Sequence, residues 1–85
     1  MIVPESWNEE RHYLVREFIF ADFKSAFYFM TAVAGIAEEL NHHPDWSNSY
    51  NRVTIRLTTH DAGNTITEKD IILANRINEV FGKFR

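Results

Sequence analysis

The stretch Asn51-Arg52-Val53-Thr54-Ile55-Arg56-Leu57-Thr58-Thr59 decides the fold. Val53, Ile55 and Leu57 point one way, and Arg52, Thr54, Arg56 and Thr58 point the other, which is the two-residue period of a strand. Parity carried past its ends places Tyr50 and His60 on the polar side. On the N-terminal side lies a long helical pattern. Asp22 suits an N-cap, and Phe23, Ala26, Phe27, Met30, Val33, Ala34, Ala37 and Leu40 recur at helical spacing. A second apolar stripe, Tyr28, Phe29, Ala32 and Ile36, leaves two readings open: a deeply buried helix, or a helix with one stripe packed on another subunit. Asn41 and Pro44 end it, because proline cannot continue a helix and disfavours helical geometry just before it.

Farther upstream, β-branched and aromatic residues over Tyr13 to Phe20 predict a strand. Leu14, Phe18 and Phe20 lie on one face, Val15 and Ile19 on the other. Trp7 to His12 reads as a shorter strand paired with it through a turn. Downstream, Asp61-Ala62-Gly63-Asn64 is turn chemistry. Thr67 is an N-cap, with Asp70 at the third position of a last helix. Leu73, Ala74, Ile77, Val80 and Phe81 form its buried stripe, and Gly82 ends it. The order strand, strand, long helix, strand, helix predicts an α+β domain, with a mainly antiparallel sheet and helices packed on one face.

With 85 residues, 45% of them hydrophobic and none cysteine, the chain makes one domain over 1–85, with neither disulfides nor thiolate metal sites. A chain of this size buries only about 60–65% of its unfolded surface. Seven phenylalanines then suggest more apolar surface than one monomer hides, and so self-association. The net charge of −3 argues against direct nucleic-acid binding. The start, Met1 to Ser6, lacks the pattern of a signal peptide. The apolar run from Ala26 to Ala37 is too short to span a bilayer. A soluble cytoplasmic protein without membrane partners is expected.

Three of the four histidines, His42, His43 and His60, are candidates for proton transfer near neutrality. His42 and His43 follow a helix C-terminus, where the dipole favours a cationic imidazole, as a general acid requires. Taken singly, each is equally well explained as satisfying an orphan carbonyl. Glu38 lies one turn before His42 and is positioned to orient it, or it is a solvated helix charge. Asp70 is either a site carboxylate or a helix cap. Trp46 and Tyr50 are core aromatics or walls for a flat ligand. A three-histidine zinc site is the minority alternative.

The ordered set Glu38-x-x-x-His42-His43-Pro44, Tyr50, His60, Asp70 resembles the signature of the pterin-4a-carbinolamine dehydratases. The resemblance continues through Asp22-Phe23, Phe29 to Ala34, Asn41 to Trp46, Tyr50 to Val53, Leu57 to His60 and Glu68 to Ile71, covering residues 7 to 81. It implies a four-stranded antiparallel sheet with helices on one side. It implies loss of water from a 4a-hydroxytetrahydropterin to give quinonoid dihydropterin, in recycling tetrahydrobiopterin, with no metal or organic cofactor. The implied site comprises His42, His43 and His60, with Glu38 and Asp70 as its acidic members. On this reading His42 and His60 share the acid and base roles. His43, with Glu38, Trp46 and Asp70, binds substrate, and the protein is a dimer or tetramer. The rival is a non-enzymatic role as the dimerisation partner of a transcription regulator, docking through Tyr28, Phe29, Ala32 and Ile36. Family members often carry an N-terminal helix ahead of the region of Trp7. Only six residues precede Trp7 here, so that helix is expected to be absent or abbreviated. The loop from His60 to Asp70 is also expected to differ in length from many relatives.

Overall fold

A computed structural model describes residues 2–84. Its elements are β1 (Asn8–Glu10), β2 (Tyr13–Ile19), α1 (Phe23–Leu40), β3 (Asp45–Ser49), β4 (Arg52–Leu57), a 3-10 turn (His60–Ala62) and α2 (Glu68–Gly82). The four strands form one sheet in the order β1-β2-β4-β3, and every neighbouring pair is antiparallel. The fold is therefore α+β, as expected.

Residues paired across antiparallel strands share a face. The pairs Leu14–Leu57, Phe18–Val53 and Trp46–Ile55 mark the face that the helices cover. Leu14, Phe18, Val53, Ile55 and Leu57 are all essentially inaccessible. Phe18 is the hub. Its ring lies 4.8 Å from that of Phe29 on α1 and 5.0 Å from that of Phe81 on α2. Burying such side chains stabilises by roughly 1.5–3 kcal/mol each, and the ring contacts add about 0.5–1.5 kcal/mol.

Three readings of the sequence need correction. β3 was not legible as a strand: Asp45-Trp46-Ser47-Asn48-Ser49 is composed largely of turn formers, and it is held extended by five register partners on β4. The buried face of α1 is Ala26, Phe29, Val33, Ile36 and Ala37. Phe29 and Ile36 therefore belong to the core, while Phe23, Phe27 and Tyr28 are about half exposed. The run holds more apolar residues than one face accepts, and the aromatic pocket formed by Phe18, Phe20, Phe81 and Phe84 selects Phe29. The expected docking stripe of Tyr28, Phe29, Ala32 and Ile36 is thus not a free surface. The strand parity also fails beyond Leu57. Thr58 is buried with its hydroxyl donating to the carbonyl of His12 (2.8 Å), and His60 opens the 3-10 turn.

Candidate active site

Two chain reversals bring the candidate histidines together. The first ends α1. Asn41 adopts the left-handed conformation (φ 52°, ψ 42°), and its N–H reaches back to the carbonyls of Ala37 and Glu38. Asparagine tolerates this geometry better than most residues. The His42 N–H bonds the Ala37 carbonyl at 3.0 Å. The second reversal follows β4. The Thr59 carbonyl accepts from the N–H groups of Ala62 and Asn64, and the Thr59 N–H donates to the Thr65 carbonyl. Gly63, at φ 79°, closes the 3-10 turn as a left-handed residue, where glycine carries no steric penalty.

His42, His43 and His60 line one cleft of about 160 Å³, together with Asn41, Thr59, Asp61 and Lys69. Pockets that enclose a small ligand start near ~300 Å³, so a ligand in this one stays partly open to its surroundings. Each imidazole is anchored through one ring nitrogen. His42 Nε2 lies 2.6 Å from Asp70 Oδ1, with the carboxylate wholly buried and the imidazole 12% exposed. His43 Nε2 lies 2.6 Å from Glu38 Oε2, an exposed pair. His60 Nδ1 lies 2.7 Å from Asn64 Oδ1, and its Nε2 is 3.9 Å from Asp45 Oδ2.

Carboxylate and amide oxygens only accept hydrogen bonds, so the anchored nitrogen carries the hydrogen in every case. The neutral tautomers follow: Nε2–H for His42 and His43, Nδ1–H for His60. The opposite nitrogen of each ring is then an acceptor, and it becomes a donor when the ring is protonated.

Asp70 caps a helix and also faces a candidate histidine. Its Oδ2 accepts the Thr67 backbone N–H at 2.8 Å, completing a capping box at the start of α2, while its Oδ1 faces His42. Oδ2 also accepts the Thr59 hydroxyl at 2.8 Å. Thr59 Oγ1 lies 2.6 Å from Thr67 Oγ1. Because Thr59 spends its one hydrogen on Asp70, Thr67 must donate to Thr59. A chain of hydroxyls thus ends on the carboxylate that holds His42.

The expected Glu38–His42 partnership is replaced by Glu38–His43. The i, i+4 relation needs a continuous helix, and the left-handed Asn41 turns His42 toward α2. Tyr50 is 64% exposed in the β3–β4 turn, at the opposite end of β4 from His60, so it does not wall the histidine cleft. Trp46 is half-buried against the core and does not line that cleft either. Among the described residues, no three His, Asp or Glu side chains converge as a metal-ligand set. Sequence reasoning passed over Thr59 and Asn64. The only signal for Thr59 was its place immediately before His60 at the end of a buried strand.

A family model described as pterin 4 alpha carbinolamine dehydratase matches residues 2–80. A protein of Prochlorococcus marinus (strain MIT 9515), provisionally named pterin-4-alpha-carbinolamine dehydratase, is 51% identical over 77 residues, covering 91% of this chain and 79% of its own. The crystal structure of a transcriptional coactivator/pterin dehydratase from Brucella melitensis superposes with a TM-score of 0.84 at 42% identity, covering 89% of this chain and 82% of that one. A pterin dehydratase-like protein identified as a RuBisCO assembly factor in the alpha-carboxysome shares the fold, with a TM-score of 0.76 at 23% identity over 93% of each chain. Matched over nearly its whole length by the family model, and half identical to a relative that it covers across more than two thirds, this chain belongs to the pterin-4-alpha-carbinolamine dehydratase family.

Proposed function

We propose that the protein dehydrates a 4a-hydroxytetrahydropterin to the quinonoid dihydropterin by histidine acid–base catalysis, in tetrahydrobiopterin recycling. The observation that carries the reading is the single cleft lined by three imidazoles, each anchored at one nitrogen and offering the other. In the reaction the C4a–O bond breaks, and a proton delivered to the hydroxyl makes water the leaving group. The ring nitrogen beside C4a loses its proton, and its electrons form the new carbon–nitrogen double bond. One acid and one base balance the step, and such groups supply about 10²–10⁴-fold.

His42 is the acid on this reading. Asp70 behind it holds the imidazolium in an ion pair while Nδ1 delivers the proton. His60, backed by the neutral Asn64 amide, is the base through Nε2. His43 binds the pterin and Glu38 steadies His43. No metal or organic cofactor enters the scheme. Replacing His42 or His60 with Ala is expected to lower turnover about 10²–10⁴-fold with the fold retained. Near-normal decay of 4a-hydroxytetrahydropterin in both variants, against a buffer control, would sink the reading.

The same proposal includes a homo-oligomer in the cytoplasm, supported by the exposed Phe23, Phe27 and Tyr28 on α1. Among the described residues no helix is long and apolar enough to cross a membrane. Those three aromatics also favour the second reading, a non-enzymatic dimerisation partner of a transcription regulator. A mixed complex recovered from a preparation with no dehydratase activity would favour it.

A further inference from the structure

Beside the histidine cleft lies a larger one, about 460 Å³, lined by Glu10, Arg11, His12, Tyr13, Arg56 and Asn64. Two of its residues are arginines that form no ion pair among the described residues. Among the described residues Arg52 pairs with Glu17, and Arg76 with Glu39 and Glu79, but neither Arg11 nor Arg56 forms an ion pair. Asp45 is the cross-strand partner of Arg56, yet the two form no ion pair, and the Asp45 carboxylate lies 3.9 Å from His60 Nε2. In a chain with net charge −3, two guanidiniums without an ion pair on one cleft are not explained by a general excess of cations.

Arg56 is held by a ring, and Arg11 is placed by its turn. The Arg56 guanidinium lies 4.5 Å from the centroid of the Tyr13 ring, which fixes its plane. Arg11 occupies the β1–β2 turn at φ 58°, a conformation that glycine or asparagine takes more readily, so the turn carries an arginine against the local backbone preference. Asn64 joins the two clefts. Its Oδ1 holds His60, which leaves its amide NH₂ as a donor at the edge of the larger cleft.

We propose that this cleft is an anion subsite, holding the phosphate or carboxylate of a ligand whose ring lies against the histidines. The inference rests on the dehydratase reading and adds to it a preference, among 4a-hydroxytetrahydropterins, for those whose side chain ends in an anion. Arginine suits such groups because its planar fork donates two parallel hydrogen bonds. Glu10, which lines the same cleft, disfavours a second negative charge beside the first.

Two measurements test it. In the first, inorganic phosphate is titrated into the ¹⁵N-labelled protein. Saturable shifts are expected at Arg11, His12, Tyr13, Arg56 and Asn64, and they should vanish in the Arg11→Gln/Arg56→Gln double variant. In the second, 4a-hydroxytetrahydropterins bearing a phosphate, a carboxylate or a neutral dihydroxypropyl side chain are compared. An anionic substrate is expected to show a KM lower by about tenfold or more, as hydrogen bonds to a charged group allow. The double variant should bring that ratio to about one, and the phosphate and carboxylate arms identify which anion is preferred. Equal KM values with no phosphate shifts would overturn the subsite and leave the dehydratase reading standing. Saturable, arginine-dependent phosphate shifts without turnover of any substrate would uphold the anion site and overturn the dehydratase reading. A preference that survives the double variant would overturn the role given to the arginines.

Discussion

Asp70→Asn separates the structural from the catalytic work of one buried side chain. The substitution keeps size and shape but converts one oxygen into an NH₂. Oδ2 accepts two donors, the Thr67 N–H and the Thr59 hydroxyl, both at 2.8 Å, whereas Oδ1 faces only His42. The amide therefore sets its remaining oxygen toward the threonines and its NH₂ toward His42. Two bonds survive as neutral ones, and roughly half the strength of a charge-assisted bond is lost at each. Unfolding in urea should show a loss of about 1–3 kcal/mol, which leaves the fold intact. The larger effect falls on His42. An NH₂ donor at 2.6 Å from Nε2 forces that nitrogen to accept, so the hydrogen moves to Nδ1 and the ring offers the cleft the wrong tautomer. If His42 transfers the proton, turnover falls by about 10²–10⁴-fold. Long-range ¹H–¹⁵N spectra of the imidazole read the tautomer, and decay of 4a-hydroxytetrahydropterin reads the rate. A switched tautomer with turnover within twofold of the parent would refute His42 as a proton carrier. An unchanged tautomer would refute the hydrogen-bond assignment itself.

Other expectations follow from the same contacts. Glu38→Gln removes an exposed partner of His43, and such pairs contribute about 0–1 kcal/mol; urea midpoints should barely move, and a loss above about 2 kcal/mol would contradict the exposure. Phe29→Ala should cost about 3–5 kcal/mol because the ring is wholly buried among four others. Phe27→Glu, on the exposed side of the same helix, should leave the monomer fold intact by circular dichroism and shift light-scattering mass toward smaller species. Asp22 caps α1, and the Ser25 backbone N–H on its carboxyl is the main cause holding it below the usual aspartate range. A depressed folded-state value contributes stability that is complete above the unfolded value and lost as pH falls through the folded one. Asp22→Asn, which caps about as well, should flatten that acid limb in urea midpoints measured against pH.

Much of this was readable from residue order, and the failures share a physical cause. β2, α1, β4 and α2 announce themselves because their periodicity is local: Val53, Ile55 and Leu57 repeat every second residue, and Leu73, Ala74 and Ile77 lie on one helical face. β3 does not, because Asp45 to Ser49 have little intrinsic preference for a strand and become one only when β4 pairs with them. The choice of Phe29 over Phe27 as the buried ring is likewise decided by Phe18, Phe20, Phe81 and Phe84, which come from other elements. The composition of the histidine cluster was legible through its resemblance to a family. Its wiring was not. A helical count pairs Glu38 with His42, and one residue, Asn41 at φ 52°, cancels that count and sends His42 to Asp70.

Thr59 shows why that wiring matters beyond bookkeeping of contacts. Its main chain organises the loop that carries His60, and its hydroxyl helps fix the carboxylate that carries His42. The two histidines assigned opposite proton-transfer roles are therefore set relative to each other through one buried residue whose hydrogen bonds go to neither ring. Displacing Asp70 by a fraction of an ångström disturbs the support of His42 alone, whereas displacing Thr59 disturbs the supports of both rings at once. Thr59→Val keeps the branched shape, leaves Asp70 Oδ2 with only the Thr67 N–H, and removes the partner that takes the Thr67 hydroxyl. A loss of about 1–3 kcal/mol follows from the unsatisfied groups. Because both imidazoles and both tautomers survive, the fall in turnover should be smaller than in Asp70→Asn and should appear in kcat more than in KM, since orientation rather than contact is what the substitution removes.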